Sequence, residues 1–184
     1  MVIKYGKPLG TESWPRDSST SALLSIDYAH HEIHSGSHYF YQSHHDMAKN
    51  SVNDHLIITP DTDKYSHMVF LVNSSAGQIH VEISEGATYS SIGTLEVPRN
   101  RNRNFPDAAG TLIYETPTIT GQGTVLISGK YGIDDKKLSS GGTGRGDSEI
   151  VLKRNTVYLF RVTETNIDNT VLNITLDWYE HTNK

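Results

Sequence analysis

The stretch Val171-Leu172-Asn173-Ile174-Thr175-Leu176-Asp177-Trp178-Tyr179 alternates without a break. Successive side chains of an extended chain point to opposite sides. Leu172, Ile174, Leu176 and Trp178 therefore share one face, and Asn173, Thr175, Asp177 and Tyr179 the other. Burying the apolar face stabilises a fold by roughly 1.5–3 kcal/mol per large side chain. This pattern is that of a strand with one face in a core, and it sets the class of the whole chain.

Working outward, the same period recurs. Ile79, Val81 and Ile83 alternate with Gln78, His80 and Glu82. His67–Val72 is apolar on both faces and reads as a central strand; Ser74-Ser75-Ala76-Gly77 then joins it to 78–83 as a hairpin. Further strand segments are Ala22–Ala29, His38–Gln42, Asp54–Thr59, Thr111–Thr116, Gly123–Ser128, Glu149–Lys153 and Thr156–Val162, the last two flanking a turn at Arg154-Asn155. The segments amount to about eight strands, with no amphipathic helix of ten or more residues and no internal repeat. Short strands separated by turn clusters predict an all-β, antiparallel sandwich, jelly-roll-like first and immunoglobulin-like second. Residues 99–110 and 129–148 read as loops, the latter long, charged and Gly-rich. Residues 1–21 carry Gly6, Pro8, Gly10 and Pro15 without periodicity and read as an extended N-terminal arm, leaving 22–184 as the sandwich domain.

The 184 residues fit one domain with such an arm. A net charge of −5 argues against nucleic-acid binding through bulk charge. Cysteine is absent, so no disulfide, cysteine nucleophile or thiolate metal site is available. The N-terminus lacks the apolar run of a signal peptide, and nowhere does the sequence approach the roughly 20 apolar residues of a bilayer span. No membrane partner is expected.

Candidate chemistry is peripheral. Of ten histidines, His30, His31, His34, His38, His44 and His45 crowd one stretch. On a strand, His30, Glu32 and His34 share a face and could edge a metal site. His31-Glu32-Ile33-His34 falls one residue short of H-E-x-x-H and sits outside a helical pattern. The preferred reading makes His30 and His34 buried hydrogen-bonding groups at a subunit contact, with no metal and no cofactor. Asp61/Asp63, Asp134/Asp135 and Asp147/Glu149 lie in or beside loops, without the opposed carboxylates of a glycosidase, and Asp61-Thr62-Asp63 lacks the rest of a calcium loop. Arg145-Gly146-Asp147 matches an integrin signature, and Asn173-Ile174-Thr175 a glycosylation acceptor placed in a strand. Arg99, Arg101 and Arg103 put three positive charges on one loop, suited to an acidic protein surface. The chain is not expected to be an enzyme.

Ile26-Asp27-Tyr28-Ala29-His30-His31-Glu32-Ile33-His34-Ser35-Gly36-Ser37-His38-Tyr39, then Asn100-Arg101-Asn102, Glu149–Lys153, Tyr158–Val162 and Trp178-Tyr179-Glu180-His181 occur in this order. Together they resemble a family of small β-rich virion structural proteins of tailed bacteriophages, over roughly residues 22–181. The resemblance implies a head decoration, or cement, protein that binds the major capsid protein, often as a homotrimer. It implies residence on the capsid surface of a virion assembled in the host cytoplasm. Contact residues are then expected in the arm (Tyr5, Trp14), the His segment (His30, His31, His34) and the basic loop (Arg99, Arg101, Arg103). Two other readings stand beside it. One is a tail or head-fibre adhesin binding host glycans through Tyr39, Tyr41 and Asp46. The other is a cupin-like metal enzyme, which needs a His/carboxylate cluster facing into the barrel.

Overall fold

The computed structural model describes residues 19–20, 28–105, 107–132, 140–141, 149–165 and 170–182. Among them, a short helix α1 (Tyr28–Ser35) precedes fourteen strands: β1 (His38–Met47), β2 (Val52–Ile58), β3 (Lys64–Ser74), β4 (Gln78–Glu85), β5 (Thr88–Ser91), β6 (Thr94–Glu96), β7 (Arg99–Asn100), β8 (Leu112–Glu115), β9 (Thr118–Gly121), β10 (Thr124–Gly132), β11 (Ser140–Gly141), β12 (Ile150–Leu152), β13 (Val157–Glu164) and β14 (Thr170–Thr182).

Two antiparallel sheets form a sandwich. Sheet one runs β11-β3-β14-β1-β7, with β12 also pairing β3; sheet two runs β10-β4-β13-β2-β8-β6. Eight strands make the frame. In chain order, β1, β3, β12 and β14 belong to one sheet and β2, β4, β10 and β13 to the other. Orders of β12-β3-β14-β1 and β10-β4-β13-β2 are those of a jelly roll. The remaining strands are short additions at the edges, and β5 with β9 forms a small separate layer.

The alternation that reads as strand in the sequence is what packs. Leu172, Ile174, Leu176 and Trp178 are fully buried, facing Ile79, Val81, Ile83, Phe160 and Val162 from the other sheet. The β5–β9 layer covers part of sheet two's outer face, over Leu56 and Leu159.

Four expectations need correction. The 67–72 and 78–83 segments do not form a hairpin: β3 lies in sheet one and β4 in sheet two. Their linker bonds to β14 instead. Ser75 N donates to Val171 O at 2.9 Å and Ala76 N to Thr170 Oγ1 at 3.1 Å, which carries the chain over the end of the sandwich. Residues 28–35 are helical rather than extended. Arg99–Asn100 is a two-residue strand rather than loop, and the strand at 123–128 continues through Gly132. The 1–18 segment and 142–148, with Tyr5, Trp14 and Arg145-Gly146-Asp147, lie outside the described residues. Among the described residues, no helix is long and apolar enough to cross a membrane.

Candidate functional site

The His segment and the basic loop meet. An eight-residue helix is too short to hold itself together in water, so α1 depends on what it touches. Its C-terminus closes on Gly36, at φ +79°, with Gly36 N donating to Ile33 O (3.2 Å) and Ser37 N to Glu32 O (3.1 Å). This pairing of bonds across a left-handed residue is a Schellman cap. Glu32 is buried and accepts from the hydroxyls of Ser35 (3.3 Å) and Ser37.

Residues 99–105 clasp this turn from the side. Asn100, itself buried, donates Nδ2 to Gly36 O at 2.6 Å, and Arg101 N donates to His38 O at 2.8 Å. The Phe105 ring lies so close to Gly36 that a Cβ there would meet it at 2.5 Å. Below sits an ionic centre around a buried carboxylate. Asp177, on the outer face of β14, accepts from Arg101 Nε at 2.6 Å and also from Arg101 Nη2; its Oδ1 lies 2.8 Å from His38 Nε2. His38 Nδ1 in turn lies 3.3 Å from Ala29 O on the helix.

The result sorts the expected contact residues. His30, His31 and His34 are exposed, not buried, and helical spacing brings His30 Nε2 and His34 Nε2 to 3.0 Å. Glu32 is buried and lies beside His31, with Oε1 3.4 Å from His31 Nδ1, so the shared His30/Glu32/His34 face of an extended strand does not form. Arg101 is partly withdrawn into the pair with Asp177 and lies over the Phe40 ring. Arg99 and Arg103 are exposed and make no ion pair among the described residues. Arg103 Nη1 donates to the Asn100 carbonyl at 3.4 Å. Exposed His30, His31, His34, Arg99 and Arg103 therefore sit on and around one clasped turn over sheet one.

Other expectations fare differently. Tyr39 and Tyr41, read as a surface for glycans, are each 6% exposed and belong to the core, because they lie on the inward face of β1. Asp46 is exposed, and so are Asp61 and Asp63 in their loop. Glu149 is not a solvated loop carboxylate. It lies 2.9 Å from His67 Nδ1 and accepts from Tyr179 OH at 2.7 Å, while His67 Nε2 is 2.8 Å from His181 Nε2.

Sequence reading missed a second constellation. His45 on β1, His55 on β2 and Glu115 on β8 bring one ligand atom each to within 4.8 Å of one another. His45 Nε2 and His55 Nε2 lie 3.3 and 3.2 Å from Glu115 Oε1, and Tyr41 OH donates to the same oxygen. His55 is fully buried. Its hydrogen bond to Glu115, aided by that of Tyr41, holds the carboxyl down at about 2, against the opposing pull of burial. Burial lowers His45 from its ordinary value, partly offset by Glu115. It raises the Tyr41 phenol, as does the bond to Glu115. The three ligands come from three strands, 10 and 60 residues apart, so no local spacing could reveal them. The available signal was parity: Tyr41 and His45 share the β1 face that carries Tyr39.

Comparison with family models, with curated proteins and with solved structures returns no match for this chain.

Proposed function

We propose that the chain is a non-catalytic virion structural protein of a tailed bacteriophage, a head decoration protein that binds the outer surface of the capsid and stabilises the shell. The clasped rim carries this reading. Arg99 and Arg103 stand exposed without a carboxylate partner among the described residues, beside exposed His30, His31 and His34. The turn beneath them is held by Arg101 paired with the buried Asp177 and His38. Cationic side chains presented on a fixed base suit an acidic patch of a major capsid protein. They do so without nucleic acid, membrane or cofactor.

The jelly roll supports the reading only generally, because that fold also serves lectins and enzymes. The sequence resemblance narrows it to the virion. Copies act together: many weak contacts across seams between shell subunits add up through multivalency. A homo-oligomer, trimeric by the same resemblance, is favoured by β10. This nine-residue strand closes sheet two with Val125, Leu126 and Ile127 exposed at 36–45%. Its other edge pairs with no strand among the described residues, and an unpaired apolar edge is a template for pairing with another chain. The occupant that fits is a second copy of this protein. The adhesin reading loses its aromatic platform, since Tyr39 and Tyr41 are buried.

The test uses shells of the source phage stripped of this protein. The double variant Arg99→Ala/Arg103→Ala should bind them at least tenfold more weakly at low salt, while its melting temperature stays within about 2 °C of wild type. Wild-type binding should fall as salt rises. Undiminished occupancy of the double variant contradicts the reading.

A further inference from the structure

We propose that His45, His55 and Glu115 form a binding site for one zinc-class divalent cation, which joins the two sheets of the sandwich at its open flank.

Geometry leads. A tetrahedral first-row ion held at about 2.0 Å by each ligand separates the ligand atoms by roughly 3.3 Å. Glu115 Oε1 lies 3.3 Å from His45 Nε2 and 3.2 Å from His55 Nε2. The donor set is two imidazole nitrogens and one carboxylate oxygen. That set favours zinc and its neighbours over magnesium or calcium, which take oxygen.

Hydrogen bonding points the same way. Tyr41 OH, His45 Nε2 and His55 Nε2 all converge on the single oxygen Glu115 Oε1. Three polar groups crowd one oxygen of a carboxylate that has two to offer, and His45 Nε2 also lies 3.0 Å from Ser43 Oγ. A cation between the two rings and the oxygen takes the lone pairs of both Nε2 atoms and leaves the Tyr41 hydroxyl donating to Glu115 Oε1. Ligation through Nε2 also fixes the His55 proton on Nδ1. That nitrogen is buried and lacks a hydrogen-bond partner among the described residues, as does Asn53 Oδ1, an acceptor one pleat away along β2.

The position explains the purpose. β7 pairs β1 only at Tyr39 and Phe40, so β1 beyond Tyr41 has no neighbour on that side among the described residues. His45 comes from this flank, while His55 and Glu115 come from β2 and β8 of sheet two. An ion there links across the layers. His45 and Glu115 keep about a fifth of their side-chain surface exposed, so an ion can enter.

The experiment uses the purified full-length chain, stripped with a chelator and titrated with Zn²⁺ by calorimetry and with Co²⁺ by visible absorption. The expected result is one ion per chain, an intense tetrahedral-type Co²⁺ spectrum, and a melting temperature several degrees higher with Zn²⁺. His45→Ala and, independently, Glu115→Gln should each weaken binding at least tenfold, with circular dichroism of the metal-free variants unchanged. His30→Ala/His34→Ala and His67→Ala should bind as wild type. The proposal is overturned by the absence of stoichiometric binding, by full affinity in either ligand variant, or by loss confined to the His30/His34 or His67 variants.

Discussion

Asp177 shows how one residue changes meaning between sequence and fold. In the alternating stretch 171–179 it belongs to the polar face, opposite Leu176 and Trp178. In the structure Asn173 of that face is exposed, but Asp177 is 4% exposed, held by Arg101 and His38. The sequence groups Arg99, Arg101 and Arg103 as three equivalent docking charges; the fold separates Arg101 from the other two. Removing Arg101, whose side chain is itself 39% exposed, leaves the buried Asp177 carboxylate with His38 alone. Arg101→Ala should therefore cost about 1–3 kcal/mol and lower the melting temperature by roughly 2–12 °C. Arg99→Ala should shift it by less than about 2 °C. Thermal unfolding of the two variants side by side checks this, and equal shifts would return Arg101 to the surface.

Elements show where strand parity suffices and where it fails. The β14 and β4 faces were legible because four apolar residues in one, Leu172 to Trp178, and three in the other, Ile79 to Ile83, repeat at period two. α1 was not, because eight residues with histidines at 30, 31 and 34 satisfy either an extended or a helical reading. The decisive signal was Ser35-Gly36: a glycine just past a short helix marks its left-handed cap. Gly36→Ala meets two obstacles, a positive φ and the Phe105 ring at 2.5 Å. The left-handed backbone alone costs a residue with a side chain about 1–3 kcal/mol. Hydrogen exchange should quicken at the amides of 32–37 while the strands of sheet one keep their protection. Undisturbed exchange at Gly36 and Ser37 would show that the cap does not hold the helix. The expected 67–83 hairpin failed for a reason of another kind. A jelly roll exchanges sheets between those two strands, and period-two alternation carries no record of which sheet a strand joins.

At the scale of the whole molecule, a rigid jelly roll keeps its distinctive chemistry at its margins. Sequence conveyed the class and approximate strand number, since apolar alternation survives in any sandwich. It conveyed neither the His45–His55–Glu115 cluster nor the clasp, because both are assembled from distant strands. The edge of β10, unpaired among the described residues, bears on assembly. Leu126→Lys places a charge on that edge, and light scattering on the purified protein should show the oligomer dissociating to a monomer. A persistent oligomer would move the contact elsewhere. Docking remains the central claim, and its most direct test is cryo-electron microscopy of the source particle. The account predicts repeated density for this domain on the outer capsid, with the α1 and Arg99–Arg103 rim turned toward the shell. Particles that carry no copy of the protein, or carry it with that rim facing solvent, would contradict it.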